Sequence, residues 1–196
     1  MNDTYDVEVT LLAMTPDPET LIESAGRLCW DTRDKTGTVP DRIQRWLDVG
    51  HESMIEHASA TFFIRGSRAM THELVRHRIA SYSQRSQRYV RENEISYVAP
   101  PELSQREGAP EVYREAMEAA WQAYGKLLAA GLKPEVARYV LPNACYTEII
   151  CTWNLRELRH IIKLRTSQRA LPEIREVATQ LRHIVKERAP QVFADL

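Results

Sequence analysis

Residues 76–91 have the sequence Arg-His-Arg-Ile-Ala-Ser-Tyr-Ser-Gln-Arg-Ser-Gln-Arg-Tyr-Val-Arg, the most unusual stretch of the chain. It holds five arginines and one histidine but no carboxylate, and hydroxyl and amide side chains fill most of the gaps. Arginine presents a planar, permanently charged fork that matches phosphate, while Ser, Gln and Tyr add directional hydrogen bonds. The stretch therefore predicts an anion site where a helix ends and a loop with free backbone N–H groups follows.

Two other interpretations of residues 76–91 compete with a phosphate site. A run of charges is often a solvated face, but the apolar residues around this run indicate partial burial, and a buried arginine needs a partner. Nucleic-acid binding is the second alternative, yet the run is short, has few aromatic residues for stacking, and is accompanied by no further basic surface. A nucleotide phosphate therefore fits better than a nucleic-acid polymer.

The segments on both sides of this run predict helices and a few strands. Asp17, Ser67 and Asn154 stand where helix N-caps are expected. Apolar spacing predicts strands over 7–12, 58–65 and 146–152, and helices over about 17–30, 40–49, 67–76, 111–130, 134–141, 154–164 and from 172 onward. Because the strands do not alternate regularly with helices, we expect an α+β fold, with a mixed or antiparallel sheet flanked by helices. No Gly-x-Gly-x-x-Gly sequence occurs, so the fold is not expected to be of the Rossmann type.

Length and composition describe an ordinary globular protein. The 196 residues suffice for one compact domain, which we expect to span 1–196. The formal net charge of −1 and the lack of a long apolar run predict neither nucleic-acid nor membrane binding. Residues 1–6 contain no apolar run, so no secretory signal is expected. Cys29, Cys145 and Cys151 form no Cys-x-x-Cys pair, which predicts neither disulfides nor a zinc cluster and favours the reducing cytoplasm.

A series of motifs resembles the flavin-dependent thymidylate synthases. Arg76-His77-Arg78, then seven residues, then Ser86, matches the signature of that family. Further matches follow the family's order at familiar spacing over residues 51–176: His51-Glu52-Ser53 to Glu56-His57, Gln87-Arg88-Tyr89, Glu135-Val136-Ala137-Arg138 with Leu141-Pro142, and Asn154-Leu155-Arg156 to Leu164-Arg165. Several such motifs in series make a chance match very improbable.

The resemblance implies a site for FAD at a junction between subunits, without a Rossmann fingerprint. Ser53 is implied to contact the FAD phosphates, and the other implied flavin contacts are Arg76, His77, Arg78, Ile79, Gln84, Asn154, Arg156 and His160. Gln84 stands where the family often has glutamate, and His160 where it often has asparagine. His51, near flavin and folate, and Arg169, near the flavin, are implied to have supporting roles.

The resemblance also implies a dUMP site. Its residues are Glu73, Arg76, Gln84, Arg85, Ser86, Gln87, Arg88, Arg138 and Arg165. Ser86 and Arg88 are expected to hold the phosphate. Arg165 is the expected catalytic residue: lying against the uracil, its fixed positive charge favours ionisation at N3 and makes C5 more nucleophilic.

Structural explanations exist for some of these residues taken singly. Arg138 can be an arginine on a helix surface, Arg165 can stabilise the end of its helix through the macrodipole, and Asn154 can serve only as an N-cap.

Two other features of the sequence concern metal binding and a nucleophile. His72 and His77 are five residues apart and do not share a helix face well, so no metal pair is expected. Cys145 invites comparison with the nucleophilic cysteine of the other, unrelated class of thymidylate synthases. No general-base motif accompanies it, so it is expected to be a small buried residue.

The resemblance implies an enzyme that makes dTMP. NADPH reduces FAD, methylenetetrahydrofolate gives its one-carbon unit to C5 of dUMP, and the reduced flavin supplies the hydride that completes the methyl group. The family is a homotetramer whose active sites are shared between subunits. The rival functions are a flavoprotein oxidoreductase with another substrate, a nucleic-acid-binding module and a purely structural interaction protein.

Overall fold

The computed structural model describes residues 5–35, 37 and 39–196. The expectation that residues 1–6 form no secretory signal falls largely on residues 1–4 and so lies mainly outside the described residues. Four strands form one sheet in the order β1-β2-β4-β3, and all three pairings are antiparallel. The strands are β1 (Glu8–Met14), β2 (Ser59–Ser67), β3 (Ala80–Gln84) and β4 (Tyr146–Asn154). The α+β expectation is confirmed, with an antiparallel sheet.

Seven α-helices accompany the sheet in the described part of the chain. They are α1 (Pro18–Cys29), α2 (Val39–Asp48), α3 (Arg68–Leu74), α4 (Ala109–Ala129), α5 (Pro134–Ala137), α6 (Leu155–Arg165) and α7 (Pro172–Arg188). Short 3₁₀ segments occur at Arg33–Lys35, Ser53–His57, Pro101–Gln105 and Arg138–Val140. Each predicted helix is present to within a few residues. None of the helices in the described ranges has the length and apolar character needed to cross a membrane.

The core lies on one face of the sheet. Side chains alternate along β2 and β4, so that Phe62 and Trp153 point into the layer of helices and are almost fully buried. Burial of a side chain of this size contributes about 1.5–3 kcal/mol. On the other face, Thr61 and Thr152 are only half-buried and their hydroxyls lie 2.9 Å apart. The alternation of side chains along these strands thus corresponds to one face of the sheet that helices cover and one face that is only partly covered.

Helices α1 and α2 pack in direct contact at Gly26. A Cβ atom at this position would lie 2.3 Å from Cη2 of Trp46, closer than real atoms approach. Only glycine leaves room for the indole ring here, and this contact fixes the spacing of the two helices.

All three predicted N-cap positions are confirmed, and two of them make the capping hydrogen bond through the side chain. The Ser67 hydroxyl accepts a hydrogen bond from the backbone N–H of Met70 at 2.9 Å, and Asn154 Oδ1 accepts one from the backbone N–H of Glu157 at 2.8 Å. Asp17 also occupies the predicted N-cap position, with Pro18 as the first residue of α1, but its side chain makes no capping hydrogen bond. Asp17 has a φ of 43°, a left-handed conformation that Asp tolerates but that differs from the extended backbone of a usual N-cap.

The prediction of a loop after α3 is wrong for five residues, which form strand β3. This strand pairs with β4 from Ala80 opposite Trp153 to Gln84 opposite Ile149. Its residues are small or polar, so the sequence carries no hydrophobic signal for a strand. The Tyr82 hydroxyl lies 2.7 Å from the carbonyl oxygen of His77 and 3.1 Å from Nε1 of Trp153, which ties β3 to the segment that carries His77.

Candidate active site

Arg165 is held firmly at the end of α6. Its Nη1 donates to Oε2 of Glu73 at 2.8 Å, its Nη2 donates to the Glu73 carbonyl oxygen at 3.2 Å, and its Nε donates to Nε2 of His77 at 3.1 Å. The helix macrodipole favours a cation at this position. The dipole alone does not account for three hydrogen bonds to partners about 90 residues away along the chain, which fix the guanidinium in one orientation.

His77 is a buried, neutral imidazole of defined tautomer. Because a guanidinium only donates hydrogen bonds, Nε2 of His77 must be the acceptor for Arg165, and its proton is on Nδ1. Nδ1 faces Oε1 of Glu157 at 3.4 Å, a long contact. Burial, followed by the nearby Arg165 and His160, lowers the pKa of His77 to about 4. His77 is therefore uncharged at neutral pH, and the contact to Glu157 is not an ion pair.

A cavity with a volume of about 440 Å³ adjoins this cluster. The ring of His160 meets the ring of His77 edge-on, with centroids 5.7 Å apart, and His160 also lines the cavity. Four of the residues expected at the flavin meet here: Ile79, Asn154, Arg156 and His160. The volume is in the usual range of small-molecule sites.

A second cavity, with a volume of about 490 Å³, holds His51 and Ser53. Glu52 and Arg156 line both cavities, so the two are neighbours. Arg156 donates to Glu52 at 3.1 Å and to Glu56 at 2.5 Å. These exposed ion pairs orient the side chain but contribute little to stability.

The residues around the two cavities suit the parts of a flavin. Arg156 and Lys163 offer positive charge for phosphate, and His160 offers a hydrogen-bonding ring. Ile79 exposes 65% of its surface beside them, which leaves apolar area available to a ring system. Asn154 uses its Oδ1 to cap α6, and its amide nitrogen makes no hydrogen bond within the described ranges. It is therefore an N-cap that also lines the cavity.

The segment after β3 carries residues expected to hold the dUMP phosphate. Nη1 of Arg85 lies 2.9 Å from both carboxylate oxygens of Glu92. The Ser86 hydroxyl accepts from the backbone N–H of Arg88 at 3.2 Å. Arg88 is exposed and lies 3.6 Å from a carboxylate oxygen of Glu135.

Gln84, Arg138 and Cys145 have defined surroundings near this segment. Nε2 of Gln84 donates to the hydroxyl of Thr71 at 3.0 Å and to that of Thr147 at 3.2 Å, so the amide is fixed against α3 and β4. Arg138 is half-buried at the start of its 3₁₀ segment rather than fully on the surface. Cys145 is buried, and burial raises the pKa of its thiol to about 11. As expected, it is a small buried residue.

The structure corrects the expected burial of the arginine-rich run. Arg76, Arg78, Arg88 and Arg91 are exposed, and Arg85 alone among the five is half-buried. β3 is one of the two edge strands of the sheet, so it has a neighbouring strand on one side only.

Two expected residues are less well connected to the cavities. Arg169 is exposed, its backbone N–H donates to the Ser167 hydroxyl at 3.3 Å, and it lines neither of the two cavities. The described contacts of Arg76 involve its backbone, whose N–H donates to the Glu73 carbonyl oxygen at 3.2 Å.

The chain is similar to known proteins in both sequence and fold. A family model described as "Thymidylate synthase complementing protein" (Thy1) matches residues 10–191. The chain belongs to this family. A flavin-dependent thymidylate synthase of Geobacter sulfurreducens is 44% identical over 96% of the chain and 86% of the relative, and one of Clostridium tetani is 40% identical over 97% and 86%. The crystal structure of the UMP/dUMP methylase PolB from Streptomyces cacaoi, bound with 5-Br dUMP, superposes with a TM-score of 0.85 at 26% identity, covering 96% of this chain and 93% of that one.

Sequence reasoning did not single out Glu157 or Arg68, whose surroundings in the structure are unusual. Glu157 follows the Asn154 cap by three residues, the spacing of a capping box, so its position is explained without a role in the site. In the structure its carboxylate faces His77. Arg68 is the first residue of α3, where the helix dipole disfavours a cation, and its Nη1 is buried without a hydrogen-bond partner among the described residues.

Proposed function

We propose that this Thy1-family protein is a flavin-dependent thymidylate synthase that methylates dUMP to dTMP. The family membership and the names of its relatives support this reaction. We further propose FAD as the flavin, methylenetetrahydrofolate as the carbon donor and NADPH as the reductant. The protein is proposed to act as a single domain over residues 1–196, in a cytoplasmic homotetramer with shared active sites.

The observation that carries the proposal is the fixed guanidinium of Arg165, which is hydrogen-bonded to His77 of the arginine-rich run. Its three hydrogen bonds use one N–H on each nitrogen. A guanidinium has five N–H donors, which leaves two for a substrate. A uracil placed against them gains stabilisation of negative charge at N3 and O2, since a cation held in advance needs no reorganisation when the charge develops. This increases the nucleophilicity of C5.

The neutral state of His77 supports the same role for Arg165. As a neutral acceptor, the imidazole holds the guanidinium in place without cancelling its positive charge. Glu157 supports the required tautomer from the other side of the ring. Glu73 is then the charged partner that balances Arg165 before substrate binds.

The remaining residues are proposed to bind either dUMP or the flavin. Ser86 and Arg88 hold the dUMP phosphate, assisted by Gln84, Arg85, Gln87, Arg138 and Arg76. Bound flavin supplies the hydride chemistry, which side chains do not provide. Residues proposed to hold it are Ser53, Arg76, His77, Arg78, Ile79, Gln84, Asn154, Arg156 and His160, with His51 and Arg169 in support.

Exposed apolar side chains beside the site favour a shared arrangement. Ile79, Tyr89 and Tyr139 expose 65%, 77% and 84% of their surface. Large apolar groups so exposed are usual where another protein surface covers them, and a second subunit is the simplest cover. An exposed free thiol at Cys29 is compatible with a reducing compartment.

The test combines a spectrum with turnover. We expect the purified protein to show flavin absorbance, to oxidise NADPH in response to dUMP, and to form dTMP when methylenetetrahydrofolate is added. Replacement of Arg165 by Ala is expected to leave the fold intact and to lower dTMP formation about 100- to 1,000-fold, the usual effect of removing a preorganised charge. The control is Arg182→Ala, a half-buried arginine on α7.

The alternatives predict different results. A yellow protein whose NADPH oxidation ignores dUMP would indicate a flavoprotein oxidoreductase with another substrate. Salt-dependent affinity for oligonucleotides without bound flavin would indicate a nucleic-acid-binding module. Full dTMP formation by the Arg165→Ala variant would remove the assigned catalytic role.

A further inference from the structure

The side-chain amide of Gln84 is held by two buried threonine hydroxyls from different elements. Nε2 of Gln84 donates to Oγ1 of Thr71 at 3.0 Å and to Oγ1 of Thr147 at 3.2 Å. Thr71 lies on α3 and Thr147 lies on β4, and both residues are almost fully buried. Because an amide nitrogen carries two hydrogens, both donors of Gln84 are used within the protein.

The hydroxyl of Thr71 decides which way the amide faces. Its own hydrogen is directed at the carbonyl oxygen of Arg68, at 3.0 Å, so towards Gln84 it acts as an acceptor. The atom of Gln84 that meets it is therefore Nε2 and not Oε1. The opposite orientation would give up the bond to Arg68 and would turn the positive end of the amide dipole towards the arginine-rich run. Hydrogen bonding and charge thus favour the same orientation.

Oε1 is the part of the Gln84 amide that is left for a ligand. It makes no hydrogen bond to any residue that the structure describes, and Gln84 is half-buried at the end of β3. The next two residues are Arg85 and Ser86 of the proposed nucleotide site. A neutral oxygen at this place accepts from an N–H or O–H group and adds no negative charge beside the phosphate. The donors of dUMP are the uracil N3–H and the 3′-hydroxyl.

We propose that Thr71 and Thr147 are positioning residues, which hold the Gln84 amide so that its Oε1 accepts a hydrogen bond from the bound nucleotide. The threonines act through Gln84 and not by contact with the ligand. An amide that is oriented in advance loses less side-chain freedom when the ligand binds. The identity of the nucleotide as dUMP rests on the proposed function, whereas the hold on the amide rests on the hydrogen bonds of this chain.

The test is a double-mutant cycle. Thr71→Val and Thr147→Val keep the shape of each side chain, remove its hydroxyl and are combined in one pair variant. Gln84→Met removes the amide, and the triple variant completes the cycle. Thr71→Val alone serves should the pair variant not fold. The matched control is Thr179→Val, because the Thr179 hydroxyl also donates to a carbonyl oxygen of its own helix, that of Arg175, at 2.8 Å.

Each holoprotein is titrated with dUMP by calorimetry, and KM and kcat are measured. We expect the pair variant and Gln84→Met each to bind dUMP about 3- to 10-fold more weakly, the effect of losing a neutral hydrogen bond. In the Gln84→Met background the threonine changes should weaken dUMP binding no further, since no amide remains to be held. KM for dUMP should rise with little change in kcat, because the contact is made in both the ground state and the transition state.

Thr71→Ser, which keeps the hydroxyl, should restore most of the affinity that Thr71→Val loses, and Thr179→Val should match the wild type. Wild-type affinity in the pair variant would overturn the inference. So would a loss that persists in full in the Gln84→Met background, because the threonines would then shape the fold and not the amide. A fall in kcat at unchanged KM would also contradict the inference.

Failure of this inference differs from failure of the proposed function. A protein whose dUMP affinity shows the coupling between Gln84 and the two threonines, but which forms no dTMP, would keep the positioning role and refute the proposed reaction. A protein that forms dTMP without this coupling would keep the reaction and refute the positioning role.

Discussion

The buried, neutral His77 predicts a specific loss of stability in mild acid. Its pKa is lowered from 6.5 in the unfolded chain to about 4 in the folded protein, first by burial and then by the charge of Arg165. Between these two values the unfolded chain binds a proton at this residue and the folded protein does not. The free energy of unfolding therefore decreases as the pH falls through this window, and the contribution is intact above pH 6.5.

The size of the effect follows from the width of the window. Each unit of pKa difference corresponds to about 1.4 kcal/mol. Lowering the pH from 6.5 to about 5 should therefore cost about 2 kcal/mol through this one residue. His77 is only 4% exposed, so water screens this contribution little.

The assay compares urea unfolding of the wild type and of His77→Gln at about pH 7.5 and about pH 5, at one protein concentration. Glutamine is neutral at both values and can still donate and accept. The wild type should lose about 2 kcal/mol more than the variant between the two conditions. His183→Gln, on the exposed face of α7, is the control and should behave as the wild type. Equal losses in wild type and His77→Gln would refute the reasoning that His77 is held neutral.

Two further predictions concern the scaffold. Gly26→Ala should destabilise the protein by about 1–3 kcal/mol, since the new methyl group overlaps an indole ring. Gly125→Ala, which lies in open space within α4, should instead stabilise the protein by about 0.5–1 kcal/mol. Thermal unfolding of both variants measures these changes, and equal changes in the two variants would contradict the packing described at Gly26. Asn154→Ala should cost about 1 kcal/mol by removing the cap of α6, and Asn154→Asp, which keeps the capping oxygen, should retain stability. Both Asn154 variants should bind flavin more weakly by fluorescence titration, and normal flavin binding by the aspartate variant would exclude the amide as a ligand.

Much of the scaffold was predictable because its signals are local. The Asn154 cap predicts the start of α6, since a side-chain oxygen three residues before a backbone N–H satisfies that donor wherever the helix packs. The alternation along β2 predicts a strand because successive side chains point to opposite faces. Strand β3 lacked such a signal, because its small and polar residues form a strand only when the free edge of β4 accepts them.

In the site, too, some features were predictable from local sequence and others depend on the tertiary structure. The arginine-rich run around Arg76 predicts an anion site and indicates the family, since both depend on the types and spacing of neighbouring residues in the sequence. The pairing of Arg165 with Glu73 and the contact of Glu157 with His77 join residues 92 and 80 positions apart.

By itself, the sequence determined the helices, the central strands, the family and the residue types of the site. The tertiary structure decided which charges meet, which of them stay unpaired and which imidazole is kept neutral. The physical reason is that caps and apolar periodicity act within one or two turns, whereas burial and charge pairing depend on distances that exist only once the sheet and helices have packed together.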